Sequence, residues 1–374
     1  MTAYLDHAAT TPMRPEVLEA MMPFLTERFG NPSGSHAVAR EARKGLDEAR
    51  EVVAECLGAR PGEIVFTAGG TEADNLAIVG RYRAHPGRVV CTAVEHHAVL
   101  HACRSLPEPC TAPVRPDGVV DLDALAELLD ETVSVVSVML ANNEVGTVQP
   151  LADVVELVRD RAPTAVVHTD AVQAFPWLDV AALAAGAALV AVSAHKFGGP
   201  KGVGALVVRE GVTVEPVIHG GGQERDRRSG TYNVAGIVGM AAAMQGTVSR
   251  RAETVARVRI LRDRLADGLL TAIPDATETG DRANKIAGNC HLAFAGVESE
   301  ALLVLLDGGG VCAAAGSACT SGAVEPSHVL TAMGVPPARA AGALRLSLGS
   351  TSTDADIDLA LDAIPPAVAR LRSS

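Results

Sequence analysis

Aromatic residues are scarce in this chain of 374 residues, which has one tryptophan, three tyrosines and six phenylalanines. Its core must therefore be built largely from aliphatic side chains, and this composition favours an α/β protein. The chain is long enough to bury a large core, so one large and one smaller domain are expected.

Positive charge is also in short supply: 32 lysines and arginines face 44 acidic residues, for a formal net charge of -12. No basic block is interleaved with aromatic residues, so we expect no direct nucleic-acid ligand. No apolar run reaches the length of a membrane span without glycine or charge, and residues 1–7 lack the pattern of an export signal. We therefore expect a cytoplasmic protein with no membrane contact.

The seven cysteines include no Cys-x-x-Cys pair, which disfavours disulfides and a zinc site, and no metal is expected. Most of them lie in apolar runs and are interpreted as small buried side chains. Cys319 differs, because segment 315–322 around it consists of small and polar residues typical of an exposed loop. Its thiol is therefore a candidate for chemistry.

An apolar run at 187–192 predicts a buried strand that brings Ser193, His195 and Lys196 to its end, followed by a glycine-rich turn at 198–204. Lys196 is either an ordinary surface lysine or a lysine at the mouth of a site, where its amine can form a Schiff base with an aldehyde cofactor. The residues nearby leave both interpretations open.

Two further segments supply what such a cofactor needs. A short strand at 64–66 runs into Gly69, Gly70 and Thr71 at the start of a helix, where free N–H groups and a hydroxyl can bind a phosphate. Asp170 follows a strand at 165–168 and is placed to pair with a protonated ring nitrogen. Taken alone, the glycine turn is equally compatible with an ordinary helix cap, and an aspartate after a strand is more often a helix cap than a cofactor ligand.

Strands and helices alternate through the first two thirds of the chain, which predicts a mostly parallel sheet with a site at the carboxyl ends of its strands. The pattern changes near residue 273 to a smaller α+β arrangement. We expect a large domain at 15–253, and a small domain at 1–14 and 254–374 that carries the Cys319 loop.

Sequence motifs at 4–12, 66–77, 142–146, 193–196, 219–222 and 316–321 occur together and in order. With them the chain resembles the pyridoxal-phosphate-dependent cysteine desulfurases of the NifS/IscS class, within the class V aminotransferase family. The resemblance covers nearly the whole chain. It implies a fold-type-I homodimer whose large domain has a mostly parallel seven-stranded sheet.

The resemblance also implies roles for individual residues. Lys196, His96 and Cys319 would be catalytic, and Asn31, Asn143 and Arg345 would bind the substrate, with Arg345 on its carboxylate. Thr231 would reach the phosphate of the other subunit. The residues implied for binding pyridoxal 5'-phosphate are Gly70, Thr71, His96, Asn143, Asp170, Gln173, Ser193, His195, Lys196 and Thr231.

The implied reaction converts L-cysteine to L-alanine and leaves the sulfur as a persulfide on Cys319. The persulfide would pass to an acceptor protein for iron-sulfur cluster assembly or tRNA thiolation. Two alternatives remain: a selenocysteine lyase or other fold-type-I enzyme, and a non-catalytic sulfur-relay platform. The presence of both Lys196 and Cys319 disfavours the platform. His97 and His101 are expected at a helix surface or in the core.

Overall fold

Strands and helices alternate along most of the computed structural model, which describes residues 2–315 and 327–373. The strands are β1 (Ala3–Tyr4), β2 (Ile64–Thr67), β3 (Arg88–Thr92), β4 (Pro109–Ala112), β5 (Val133–Ser137), β6 (Val166–Asp170), β7 (Leu189–Ser193), β8 (Gly204–Val208), β9 (Ala276–Glu278), β10 (Asn289–Phe294), β11 (Val311–Cys312) and β12 (Ala343–Ser347). The helices are α1 (Pro15–Thr26), α2 (Ala37–Cys56), α3 (Gly70–Asn75), α4 (Arg81–Ala84), α5 (His97–Arg104), α6 (Leu122–Glu127), α7 (Leu151–Arg161), α8 (Val180–Leu183), α9 (Val234–Ala272), α10 (Ser299–Gly308), α11 (His328–Ala332), α12 (Pro337–Ala340) and α13 (Asp354–Arg372).

The large sheet has seven strands in the order β2-β8-β7-β6-β5-β3-β4. Its pairs are parallel except on the two sides of β8, which runs antiparallel to both β2 and β7. Every residue of β2, β5, β7 and β8 is buried, as expected for a sheet covered on both faces. The predicted α/β fold with a mostly parallel seven-stranded sheet is confirmed.

Strand β4 at the edge of this sheet was missed in the sequence. It contains a proline and a threonine, and only its last residue is buried. Edge strands pair on one side alone and carry polar side chains, so the apolar pattern that reveals a central strand is missing from β4.

A second region is built on the three-stranded antiparallel sheet β12-β10-β9 and on β1 paired with β11. Helix α9 connects the two regions. Its first half packs into the core of the large sheet through Ile237 and Met244, and its second half into the other core through Leu261 and Leu269. Leu5, although near the start of the chain, belongs to this second core.

The start of the chain thus lies against elements that follow it by about 300 residues. Leu5 N–H donates to Cys312 O, and Ser347 N–H donates to Leu5 O. The domain division expected at residues 253 and 254 stays a prediction. None of the helices within 2–315 and 327–373 combines the length and apolar character that a membrane span requires.

Candidate active site

A cavity of about 340 Å³ opens at the carboxyl edge of the large sheet. Its walls come from the ends of several strands, from the arm that precedes α1 and from β12 of the second region. Ten residues singled out in the sequence line it: Gly70, Thr71, His96, Asn143, Asp170, Gln173, Ser193, His195, Lys196 and Arg345.

Lys196 ends a short 3₁₀ turn, Ala194–Lys196, that directly follows β7. Its Nζ donates to Ala8 O at 2.6 Å and to Ala9 O at 2.8 Å. These two carbonyls belong to the arm, which therefore forms the wall opposite the strand. The strand end and the arm together hold the amine at the cavity, as expected for a reactive lysine and not for a surface lysine.

Asp170 is the last residue of β6, and its Oδ1 accepts a hydrogen bond from Val172 N at 2.9 Å. Burial raises the pKa of this carboxyl to about 6, against the opposing effect of the Lys196 charge. Burial also raises the pKa of Asp74, and the nearby Asp170 and Glu95 raise it further. Because acidic groups crowd this end of the cavity, a cationic group there would be stabilised.

Behind these acids lies a buried imidazole. The Nε2 atom of His168 is 3.5 Å from Asp74 Oδ1, and its Nδ1 is 2.8 Å from Ser137 Oγ. Burial lowers the pKa of His168 to about 3, so the ring is neutral at physiological pH. His168 therefore supplies no positive charge, and the acid-rich end of the cavity keeps its preference for a cation.

A position suited to an anion, in contrast to the acid-rich end of the cavity, lies where β2 runs into α3. Gly69 has φ +155°, a conformation that side-chain-bearing residues rarely adopt, and Gly70 begins the helix. A Cβ on Gly70 would come within 2.9 Å of Val172 Cγ2, so a larger residue would require Val172 to shift. The first N–H groups of a helix have no partner within it and suit an anion.

His96 caps the N-terminus of α5, where its Nδ1 accepts from Ala98 N at 3.1 Å. Burial, followed by the charge of Lys196, lowers the pKa of His96 to about 4. The ring is therefore neutral at physiological pH. Because Nδ1 accepts a hydrogen bond, the single N–H proton of the neutral His96 ring resides on Nε2.

Arg345 projects from β12 and is only 3% exposed. Its Nη2 donates to Asp6 Oδ1 at 2.9 Å, and its Nη1 donates to Asn143 O at 3.0 Å. Asn143 Oδ1 is buried in the cavity wall and has no hydrogen-bond partner among the described residues. A guanidinium and an unsatisfied amide oxygen thus lie on the same side of the cavity.

Two described residues that were expected at the site, Asn31 and Thr231, are not among those lining this cavity. Both are exposed. Cys319 falls in segment 316–326, outside the described residues. Their roles stay predictions.

The cavity also includes residues that the sequence interpretation missed. Asp74 lies one turn after Gly70 and Thr71, a spacing that places it on the same helix face and could have revealed it. His97, expected at a surface or in the core, lines the cavity with Glu144 and His328. The rings of His97 and His328 are 4.7 Å apart, a contact between distant segments that no local pattern indicates.

Comparison with known proteins decides the family. The family model described as aminotransferase class-V matches residues 3–360. The chain belongs to this family.

Individual members are similar over almost their whole length. An IscS-like cysteine desulfurase from Mycobacterium tuberculosis is 50% identical over 384 residues, covering 99% of this chain and 97% of that protein. A solved NifS-like protein has a TM-score of 0.92 at 37% identity and covers 99% of this chain and 100% of its own. A structure titled SspA in complex with cysteine has a TM-score of 0.80 at 30% identity, covering 94% of this chain and 100% of its own.

The cofactor of this class-V aminotransferase chain is pyridoxal phosphate, and the cavity fits that group. The turn at Gly70 offers free N–H groups to its phosphate, and the acids at Asp170 and Asp74 suit a protonated ring nitrogen. The buried, unpaired Asn143 Oδ1 is a further position that a polar ligand atom would satisfy. Lys196 lies at the same cavity with its amine.

Proposed function

We propose that this chain is a pyridoxal-phosphate-dependent cysteine desulfurase that converts L-cysteine to L-alanine and retains the sulfur on Cys319. The observation that carries the proposal is the cavity that brings together Asp170 from β6, Arg345 from β12 and Lys196 from the turn after β7. The desulfurases among the relatives, and the cysteine named in one structure title, support the choice of substrate.

When bound, pyridoxal phosphate supplies an electron-accepting ring that stabilises negative charge at the α-carbon of an attached amino acid. Asp170 would keep the ring nitrogen protonated, since an anionic carboxylate buried at that end of the cavity favours a cation. Gln173 donates from Nε2 to Ala8 O, which fixes its amide at the cavity, where it would contact the ring. Gly70, Thr71, Ser193 and His195 would hold the phosphate, together with Thr231 of a second subunit.

Arg345 binds the carboxylate of cysteine, with Asn143 and Asn31 assisting, and so orients the substrate. The side chain of Lys196 lies at the cavity, where its Nζ contacts the carbonyl oxygens of Ala8 and Ala9. In its neutral form this amine has a lone pair and would remove the proton from the α-carbon. His96 is neutral, carries its proton on Nε2 and lines the cavity. It would pack against the bound cofactor and pass protons there.

Cys319 acts as a thiolate on the sulfur atom of the bound cysteine. The bond between that sulfur and its β-carbon breaks as a sulfur-sulfur bond forms on Cys319. The electron pair of the broken bond stays with the carbon fragment, which takes up protons and leaves as alanine. The persulfide then passes to an acceptor protein that serves iron-sulfur cluster assembly or tRNA thiolation in the cytoplasm.

The active form is a homodimer. Leu18, Met22 and Leu25 project from one face of α1 and are 46%, 45% and 56% exposed, and Phe29 after the helix is 72% exposed. Apolar side chains at this spacing form a continuous stripe, and a stripe left in water favours association. A second copy would also allow Thr231, which is exposed and not among the residues lining its own cavity, to reach the cofactor phosphate of its partner.

Two variants test the reaction. Lys196→Ala is expected to abolish the visible absorption of lysine-bound cofactor and all turnover. Cys319→Ser is expected to keep that absorption and the bound cofactor while losing release of alanine and sulfide from L-cysteine and a reducing thiol. Cys110→Ser, at a half-exposed cysteine in β4, is the matched control and should behave as wild type. Normal sulfide release by Cys319→Ser would exclude the persulfide step.

A further inference from the structure

The arm that precedes α1 contacts several charged or polar groups of the cavity. Besides the carbonyls of Ala8 and Ala9 on Lys196, Thr10 Oγ1 lies 3.2 Å from His195 Nδ1. The arm also supplies a carboxylate, that of Asp6, which forms an ion pair with Arg345 at 2.9 Å. The arm is thus part of the site wall and carries one charged group whose function is unassigned.

Asp6 is held rigidly. Residues on both sides of it are hydrogen-bonded to β12, through Ser347 N to Leu5 O at 2.7 Å and His7 N to Ser347 O at 3.1 Å. The hydroxyl of Tyr4 donates to Asp6 O at 3.1 Å. Because the backbone is fixed to the strand that carries Arg345, the carboxylate has little freedom to move relative to the guanidinium.

Asp6 contacts Arg345 from outside the cavity. Arg345 lines the cavity and Asp6 does not, so the carboxylate is no competitor on the face that a ligand meets. Asp6 Oδ1 accepts a hydrogen bond from Nη2 of Arg345, and Asn143 O accepts one from Nη1. Two fixed acceptors on the two terminal nitrogens determine the rotation of the planar guanidinium.

We propose that Asp6 is a positioning residue that orients the guanidinium of Arg345 for the α-carboxylate of the amino acid substrate. This inference rests on the proposed function only in requiring that an amino acid binds beside Arg345. Asp6 thereby makes the site selective for amines that carry a carboxylate. It also contributes counter-charge to the buried guanidinium of Arg345.

The test compares two amines that differ by the carboxylate alone, L-alanine and ethylamine, each titrated against the cofactor-loaded protein by the change in cofactor absorption. In Asp6→Ala the dissociation constant of L-alanine is expected to rise about tenfold, as for loss of one charge-assisted hydrogen bond. That of ethylamine is expected to stay unchanged. For L-cysteine, KM should rise while kcat changes little, because binding and not the chemical step loses an interaction.

The matched control is Asp263→Ala. Asp263 Oδ1 accepts from Arg262 Nε at 2.6 Å, and Arg262 is as buried as Arg345, but the pair lies away from the cavity. The Asp263→Ala variant removes the same kind of counter-charge and should leave the dissociation constants of L-alanine and ethylamine unchanged. If Asp6→Ala does not fold, Asp6→Asn, which retains the shape without the charge, is measured in its place.

A double variant gives a second readout. In the Arg345→Ala background, Asp6→Ala should have no further effect on the affinity for L-alanine, since the effect of Asp6 passes through the guanidinium. Three outcomes would each overturn the inference. Asp6→Ala could weaken the binding of L-alanine and of ethylamine equally, or leave the affinity for L-alanine unchanged. The third is an effect of Asp6→Ala that is undiminished in the Arg345→Ala background. Failure of the proposed function appears differently, as absence of alanine and sulfide from the wild type incubated with L-cysteine.

Discussion

Replacing Asp170 with asparagine is expected to stabilise the protein prepared without its cofactor, and to do so only above acidic pH. Burial raises the pKa of this carboxyl from 3.8 to about 6 in the folded protein. In the unfolded chain the group ionises near its ordinary pKa. The folded protein therefore becomes less stable as pH rises from about 4 to about 6, because it must ionise a group that resists ionisation when buried.

The magnitude follows from the shift. A difference of about two pKa units corresponds to roughly 3 kcal/mol, at about 1.4 kcal/mol for each unit. The asparagine keeps an Oδ1 that can accept from Val172 N, so the local hydrogen bond is preserved. The variant should exceed the wild type by up to that amount at pH 8 and by only about 0.5 kcal/mol at pH 4, where the folded carboxyl is protonated and the unfolded one is about half ionised.

Cofactor binding should reverse the effect. With a protonated ring nitrogen beside it, the Asp170 carboxylate gains a partner, whereas asparagine carries no charge to offer. We expect the variant to bind pyridoxal phosphate at least about tenfold more weakly, the loss of one charge-assisted hydrogen bond.

The assay is urea unfolding of the cofactor-free protein at pH 4, 6 and 8, with binding of pyridoxal phosphate measured separately by absorption. Asp160→Asn, at a carboxylate whose side chain is 72% exposed, serves as the control and should show no such pH-dependent gain. A variant of Asp170 that is no more stable than wild type at pH 8, or whose gain is the same at pH 4, would refute the reasoning.

Two more predictions concern packing and assembly. Arg50→Met leaves the buried carboxylate of Glu224 without its partner at 2.6 Å, so thermal unfolding should show a loss of about 3–5 kcal/mol in the free energy of unfolding. Adding Glu224→Gln should restore much of that stability. If it does not, the ion-pair explanation is wrong. Met22→Glu places a charge in the exposed apolar stripe of α1 and should shift the protein from dimer to monomer in analytical ultracentrifugation. The control Glu19→Gln, on the same helix, should leave the dimer intact. A Met22→Glu protein that remains a dimer would place the interface elsewhere.

Much of the fold could be predicted because its signals are local. The apolar runs that become β5, β7 and β8 are buried along their whole length, so their composition alone indicated central strands. The site residues Ser193, Lys196 and Asp170 follow such runs directly, and parallel strands bring their carboxyl ends to one edge. Edge strand β4 escaped because its exposed residues follow no such pattern.

The contacts that were missed join residues far apart in the chain. Arg345 and Asp6 are 339 positions apart, and they meet because the arm pairs with β12. His97 and His328 meet because α11 packs beside the start of α5. No spacing in the sequence encodes such contacts, since they depend on how separately formed elements pack.

The sequence by itself therefore determined the strand-helix alternation, the glycine turn for an anion and the lysine and aspartate at strand ends, because periodicity and turn chemistry act over a few residues. Only the tertiary structure decided which charges face each other, which pKa values burial raises or lowers, and which wall the arm builds. Those properties arise from desolvation and from contacts between distant segments, and both come into existence only when the chain has packed.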